Sequence, residues 1–210
     1  MAGFSIKINP QQTEQVLSKA IQDMLRGQIK DVVRTNRKKV IDIFHQKLVE
    51  SPTFNALMDN WGLQGDLGVQ ISYVVETTRL ISQMINLETL PPRSKDLGGI
   101  RVTLVRDNLE PILNSPYAQY ETSKGVTIPW LEWLLMAGTN VLVADYQVAA
   151  EEDPGRYSRT GALIMLPSRG GNFSITPNYA GTINDNWITR AASAALPQIE
   201  QILMAGLRNG

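Results

Sequence analysis

The sequence predicts an α+β protein: a small antiparallel sheet of three to four strands packed by a long N-terminal helix and a C-terminal helix. Apolar residues at helical spacing fill the first part of the chain, apolar runs of strand length follow, and a second helical segment comes last. The 210 residues are 43% hydrophobic and 19% charged, which provides enough apolar surface for a core. We expect a helical part over residues 1–97 and an α+β core over residues 98–210, together one structural unit.

The first helix is predicted over about residues 10–50. Its apolar residues recur in steps of three and four from Leu17 and Ile21 onward, which places one apolar stripe along a helix. A proline suits its first turn, whereas Gly27 marks a weak point inside it. Because the stripe lapses at Asn36, two joined helices are favoured over a single very long one.

The same segment carries a row of basic residues opposed by one acid. Members spaced four apart form a ridge beside the apolar stripe, and further basic residues extend it. This basic ridge comprises Arg26, Lys30, Arg34, Arg37, Lys38 and Lys39. A solvated helix face is one interpretation of the ridge, and contact with an acidic partner surface or with nucleic acid is the other.

Short helices are predicted after the first one. Ser51-Pro52-Thr53 ends the long helix, and a short helix follows and ends at Gly62. The segment from Val69 to Leu87 has helical spacing and also strand-forming residues, so it remains ambiguous, and Pro91-Pro92 ends it.

Strands dominate the sequence from Gly98 onward. Apolar runs predict them over residues 100–105, 141–148 and 160–166, the last closed by Pro167, with a further edge strand over 172–175 and a short buried helix over 128–136. Because the second of these strands is apolar on both faces, we expect helices on one face and a neighbouring subunit on the other.

The last predicted element is a helix from about Asn186 to Leu207. Asn184 or Asp185 is the expected cap, and Pro197 inside the helix is expected to kink it.

The composition excludes several kinds of active site. The chain has no cysteine, which removes thiol nucleophiles and thiolate metal sites, and its single histidine, His45, lies within an amphipathic helix. Serine-nucleophile and phosphate-binding glycine motifs are absent. Glu132 and Asp145 would support a hydrolase only if they converge on one pocket. We therefore expect no enzymatic activity, no cofactor and no metal.

The balance of acidic and basic residues indicates which kinds of partner the protein can attract by charge. With 20 basic and 20 acidic residues the formal charge is zero, which does not support a global attraction to nucleic acid but permits a local one. The N-terminus lacks the features of a secretion signal, and no run of about 20 apolar residues occurs, so we expect a soluble protein.

Two further segments are candidate contacts with sister subunits or partners. One is an acidic loop whose charge is opposite to that of the basic ridge. The other combines arginine and tyrosine, which are enriched at the centres of protein interfaces. The residues concerned are Glu151, Glu152, Asp153, Arg156, Tyr157 and Arg159.

Three sets of short sequence segments together cover most of the chain. They are Ser51-Pro52-Thr53 with Gly65-Asp66-Leu67-Gly68 after a long helix, the string Ile128-Pro129-Trp130-Leu131-Glu132-Trp133-Leu134-Leu135, and the segments from Ser158-Arg159-Thr160-Gly161 through Tyr179-Ala180-Gly181-Thr182 to Asn186-Trp187-Ile188-Thr189-Arg190. As a set they resemble virion proteins of the head-to-tail neck region of tailed bacteriophages. Neck, tail-completion and tail-terminator proteins remain alternatives within that group.

The resemblance implies a structural role in the virion. Copies would form a ring, hexameric or dodecameric, that joins the head portal complex to the tail around the DNA channel. DNA would pass without sequence-specific binding, no membrane would be involved, and the protein would be made in the host bacterial cytoplasm. A closed ring needs two different complementary surfaces, and the basic ridge and the acidic loop have opposite charges. The alternative function is a DNA-binding module that uses the basic helix Arg26–Lys39.

Overall fold

The computed structural model describes residues 10–92, 98–104, 109–122, 125–148 and 165–209. The helices in this part of the chain are α1 (Pro10–Val49), α2 (Pro52–Leu57), α3 (Leu63–Leu67), α4 (Ile71–Ser82), α5 (Glu110–Leu113), α6 (Trp130–Met136) and α7 (Trp187–Asn209). The strands are β1 (Ile85–Leu90), β2 (Gly99–Leu104), β3 (Tyr120–Glu121), β4 (Thr127–Ile128), β5 (Val143–Val148) and β6 (Met165–Phe173).

The described strands form three separate pairs. β1 pairs with β2, β3 with β4, and β5 with β6, and the last two pairs are antiparallel. The α+β class is therefore confirmed. The predicted single sheet of three to four strands is not found in the described ranges, where no hydrogen-bonded ladder joins one pair to another.

The long helix is continuous, so the prediction of two joined helices is wrong. α1 contains 40 residues and spans about 60 Å. Gly27 lies inside it, and a glycine costs a helix only about 1 kcal/mol. Asn36, where the apolar stripe lapses, is buried, and its Nδ2 donates a hydrogen bond to the carbonyl oxygen of Val32 at 2.9 Å. The buried amide is thus satisfied by the helix itself, which therefore needs no break at this position.

Contacts divide the chain into two compact units, and α1 and α7 each contribute to both. The first unit comprises residues 1–38, 86–103 and 200–210. Within its described part, the end of α7 packs closely on α1, because a Cβ added at Gly206 would lie 3.0 Å from Cγ1 of Val32. Nε2 of Gln28 donates to the carbonyl oxygen of Leu207 at 2.6 Å and ties the same two helices together.

The second unit comprises residues 39–85 and 104–199. The indole nitrogen of Trp130 donates to the carbonyl oxygen of Tyr117 at 2.8 Å, and the ring of Tyr117 meets that of Tyr73 edge-on at 5.7 Å. The predicted short helix around Trp130 is confirmed, with a proline just before it. The largest fully buried side chains of this unit are Trp130, Trp187, Phe44, Leu48, Leu57, Leu63, Ile81, Leu131, Leu134, Leu135, Ile175 and Ile188.

The residue that caps the start of α7 is not one of those predicted. Oδ1 of Asn186 accepts hydrogen bonds from the backbone N–H groups of Ile188 and Thr189, each at 3.1 Å, so Asn186 caps the helix rather than Asn184 or Asp185. The helix itself is confirmed, and it continues through Pro197.

Several strands depart from their predicted bounds, and β5 begins at Val143 rather than at residue 141. The ambiguous segment before Pro91 divides into α4 and the strand β1. β6 runs past Pro167, which lies opposite Tyr146, and ends at Phe173, so the predicted end at residue 166 is wrong. The predicted edge strand over 172–175 is also wrong as a separate element, because residues 172 and 173 belong to β6, whereas residues 160–164 of the predicted strand lie outside the described residues. A register shift between Ala144 and Tyr146 forms a bulge, where ladder pairing relaxes and proline and glycine are tolerated.

Candidate interaction surfaces

The basic ridge lies on the exposed side of α1. The side chains of Arg26, Lys30, Arg37 and Lys38 are exposed, whereas Ile29, Val32, Val40 and Ile43 on the opposite side are buried. Only Arg34 of the ridge forms an ion pair within the described residues, with Asp31 at 2.8 Å. That pair is largely solvent-exposed on both sides, so it neutralises little of the ridge.

The first turns of α1 expose an apolar surface that the sequence pattern assigns to the core. Leu17 and Ile21 belong to the predicted buried stripe, yet the side chains of Leu17, Ile21 and Met24 are 60%, 42% and 65% exposed. Their spacing of four and three places them on one helix face. We call these three residues the N-terminal apolar patch. Burial on α1 begins only at Ile29, where contacts within the chain cover the helix.

The hairpin formed by β5 and β6 is poorly covered. Val141, just before β5, is 52% exposed, and Ala144 and Tyr146 are also exposed. Phe173 at the other strand's end is buried and anchors the hairpin. Residues 144–146 of β5 are exposed, and the expectation of helices on one face of this strand and a neighbouring subunit on the other stays a prediction.

A cleft of about 620 Å³ opens in the second unit between α2, α3 and the segment after β6. Trp61 and Tyr179 provide aromatic walls, and Asp59 and Asp66 provide carboxylates. The sequence pattern places Trp61 with the apolar residues of a short helix, but α2 ends at Leu57, and the indole is 57% exposed in the turn that follows. No single motif predicts this cleft, because its walls come from segments more than a hundred residues apart.

Burial raises the pKa of the Asp66 carboxyl above its usual value. Loss of water around a carboxylate disfavours its charged form, and no cation compensates it among the described residues. The opposite case is Asp185, where a hydrogen bond from Arg190, whose Nε lies 2.7 Å from Oδ1, lowers the pKa of the carboxyl. Asp185 is thereby matched with a partner in the chain, whereas Asp66 is not.

Several predicted contact residues lie outside the described residues. They are Glu151, Glu152, Asp153, Arg156, Tyr157 and Arg159, and the pairing of the acidic loop with the basic ridge stays a prediction.

The candidate catalytic residues form no common site in the described part of the chain. Glu132 is exposed on α6, and Oδ1 of Asp145 accepts a hydrogen bond from the backbone of Gly170 at 3.3 Å within the bulge. His45 is half-buried on α1. Over these same ranges no three His, Cys, Asp or Glu side chains are grouped as metal ligands would be. Among the described helices, none has the length and apolarity required to cross a membrane.

Comparisons of this chain with protein-family models, with curated proteins and with solved structures give no match.

Proposed function

We propose that this chain is a structural virion protein that assembles into a ring at the head–tail junction of a tailed bacteriophage. In this role it joins the head portal complex to the tail around the DNA channel, as a neck, tail-completion or tail-terminator protein. The proposal starts from the resemblance of the Ser51, Ile128 and Ser158 strings to such proteins. The observation that carries it in the structure is the N-terminal apolar patch.

Large apolar side chains exposed on one helix face favour association. Burying a leucine or methionine completely contributes about 1.5–3 kcal/mol, so covering the exposed part of each patch side chain contributes about 1 kcal/mol. Leu17, Ile21 and Met24 together thus provide about 3 kcal/mol for each copy that is covered. A single such contact is weak, but a closed ring makes one for every subunit, which makes assembly cooperative and dependent on closure.

The β5–β6 hairpin supports the same proposal. Within the described residues β5 and β6 form a two-stranded sheet, and the outer edge of such a strand carries backbone groups that can pair with another chain. Pairing between neighbouring copies would produce the sheet of three to four strands that the sequence predicts. Such a contact joins two different edges, which is the heterologous geometry that a ring requires.

The direct test is the assembly state of the pure full-length protein, by sedimentation velocity over a range of concentrations and by negative-stain electron microscopy. We expect rings at high concentration. The double substitution Leu17→Ser with Met24→Ser removes about 2 kcal/mol from each contact, which corresponds to roughly 30-fold weaker association.

Ile183→Ser is the matched control, because Ile183 is 62% exposed in the segment before α7 and lies outside the patch. This variant should assemble like the parent protein. A chain that stays monomeric at every concentration, and that also fails to bind isolated phage heads or tails, contradicts the proposed function.

A further inference from the structure

The basic ridge concentrates positive charge on a chain whose formal net charge is zero. Residues 26–39 hold six of the 20 basic residues and one of the 20 acidic ones, which leaves fourteen basic and nineteen acidic residues for the rest of the chain. Within the described ranges, Arg26, Lys30, Arg37 and Lys38 form no ion pair, and all four are exposed. Among the described residues, these four ridge cations therefore have no acidic side chain as a counter-charge.

The ridge runs along one uninterrupted helix, α1, and winds by about 120° around its axis between Arg26 and Lys38. Arg26, Lys30, Arg34 and Lys38 follow one another at steps of four residues, which corresponds to about 6 Å along the axis and about 18 Å in total. Arg37 lies three turns after Arg26 on nearly the same side of the helix. A row of cations at such spacing fits an extended polyanion better than a compact acidic patch.

We propose that the basic ridge binds the phosphate backbone of double-stranded DNA without sequence specificity. Lysine and arginine neutralise phosphates, and reading base edges requires side chains aimed into a groove. Asn36, the one amide in this segment, is buried and bonded to the carbonyl of Val32, so it does not read bases. The ridge also lacks an aromatic residue on which unpaired bases would stack, which favours duplex over single-stranded DNA.

The proposal goes beyond a structural ring and does not depend on it, because α1 presents the ridge in each separate copy. Three to five phosphate contacts give a slope of about −2.7 to −4.5 for the logarithm of affinity against the logarithm of salt concentration. Between 50 and 200 mM salt the affinity then falls about 40- to 500-fold.

The test is binding of the full chain to fluorescent 30-base-pair duplexes of two unrelated sequences, measured by anisotropy between 50 and 200 mM KCl. One variant replaces four ridge residues by glutamine, a good helix former. The control variant makes the same change of charge at four exposed arginines elsewhere. The ridge variant carries Arg26→Gln, Lys30→Gln, Arg37→Gln and Lys38→Gln, and the control carries Arg79→Gln, Arg101→Gln, Arg169→Gln and Arg208→Gln.

We expect equal affinity for the two sequences, the salt slope given above for the parent protein and the control, and a loss of most of that slope in the ridge variant. Circular dichroism of each variant checks that the fold is kept. Equal salt slopes for the ridge and control variants overturn the proposal, as does a strong preference for one sequence. A ridge variant that fails to assemble but binds DNA like the parent shows instead that the ridge contacts protein.

Assembly is recorded for each sample by sedimentation. If the protein forms rings but its DNA binding does not depend on the ridge, this inference is contradicted and the proposed function is not. DNA binding by a strict monomer that also fails to bind isolated phage heads or tails supports the proposed role of the ridge and contradicts the proposed function.

Discussion

The hydroxyl of Ser51 joins three helices, and a double-mutant cycle measures what this junction contributes. Oγ of Ser51 donates to the carbonyl oxygen of Leu48 at 2.6 Å at the end of α1. It accepts from the backbone N–H of Phe54 at 3.1 Å, which caps α2. It also accepts from the indole nitrogen of Trp187 at 2.8 Å, at the start of α7.

Each single substitution has a cost that the geometry predicts. Ser51→Ala removes a helix cap, which costs about 1 kcal/mol, and leaves the buried Trp187 N–H with only the carbonyl oxygen of Leu48 at 3.4 Å, which costs about 1 kcal/mol more. Trp187→Phe loses the same hydrogen bond and leaves a small cavity, about 2 kcal/mol together. Because the two changes remove one shared bond, the double variant should lose about 3 kcal/mol rather than 4.

The assay is urea unfolding followed by far-ultraviolet circular dichroism, which does not depend on tryptophan fluorescence, at a protein concentration where the chain is not assembled. Tyr120→Phe provides the control partner for Ser51→Ala. Its hydroxyl donates to the carbonyl oxygen of Leu67 at 2.7 Å and shares no hydrogen bond with Ser51. The control pair should be additive. Additivity within 0.5 kcal/mol for Ser51 with Trp187 would refute the assigned role of the hydroxyl.

Four further substitutions test packing, charge and backbone. Gly181→Ala should destabilise the protein by about 2 kcal/mol in urea unfolding, because the new Cβ would lie 2.6 Å from the carbonyl oxygen of Leu134. By contrast, the Cβ that Gly27→Ala adds meets nothing within 4 Å, so this substitution should stabilise α1 by up to about 1 kcal/mol. Asp66→Asn should raise the melting temperature at pH 7 and change it little near pH 4. Because the pKa of the Asp66 carboxyl is higher in the folded than in the unfolded protein, the parent loses stability as the pH rises and this carboxyl ionises. The same dependence of melting temperature on pH in the parent and the variant would contradict this prediction. Pro197→Ala restores a backbone donor inside α7 at an exposed position and should stabilise the chain by about 1–3 kcal/mol in the same unfolding assay, and an equal or lower stability would contradict this prediction.

Local patterns account for the elements that the sequence predicts well. The apolar spacing of α1 and α7 and the proline before Trp130 are signals within one or two helical turns. The ridge is a local pattern too, since residues four apart on any straight helix share a side. Its exposure follows from the same periodicity, because Ile29, Val32 and Val40 occupy the buried side.

Exposure of the N-terminal apolar patch has no such local signal. Leu17 and Ile21 continue the spacing of Ile29 and Val32, so the sequence assigns all of them to one buried stripe. Whether an apolar residue is covered depends on where the other elements end in space, and the described contacts between α7 and α1 lie at Gln28, Val32 and beyond. The cleft around Trp61 was missed for the same reason.

Spacing and composition were enough to predict helices at the positions of α1, α6 and α7, the α+β class and the lack of a recognisable catalytic motif, because those properties depend on neighbours a few residues away. Only the tertiary structure decided that Ile85–Leu90 is a strand and that β6 passes Pro167, because a strand is defined by a partner distant in the chain. The choice of Asn186 as the cap of α7 was decided at the same level, since burial selects among three adjacent polar residues that are equally able to cap a helix.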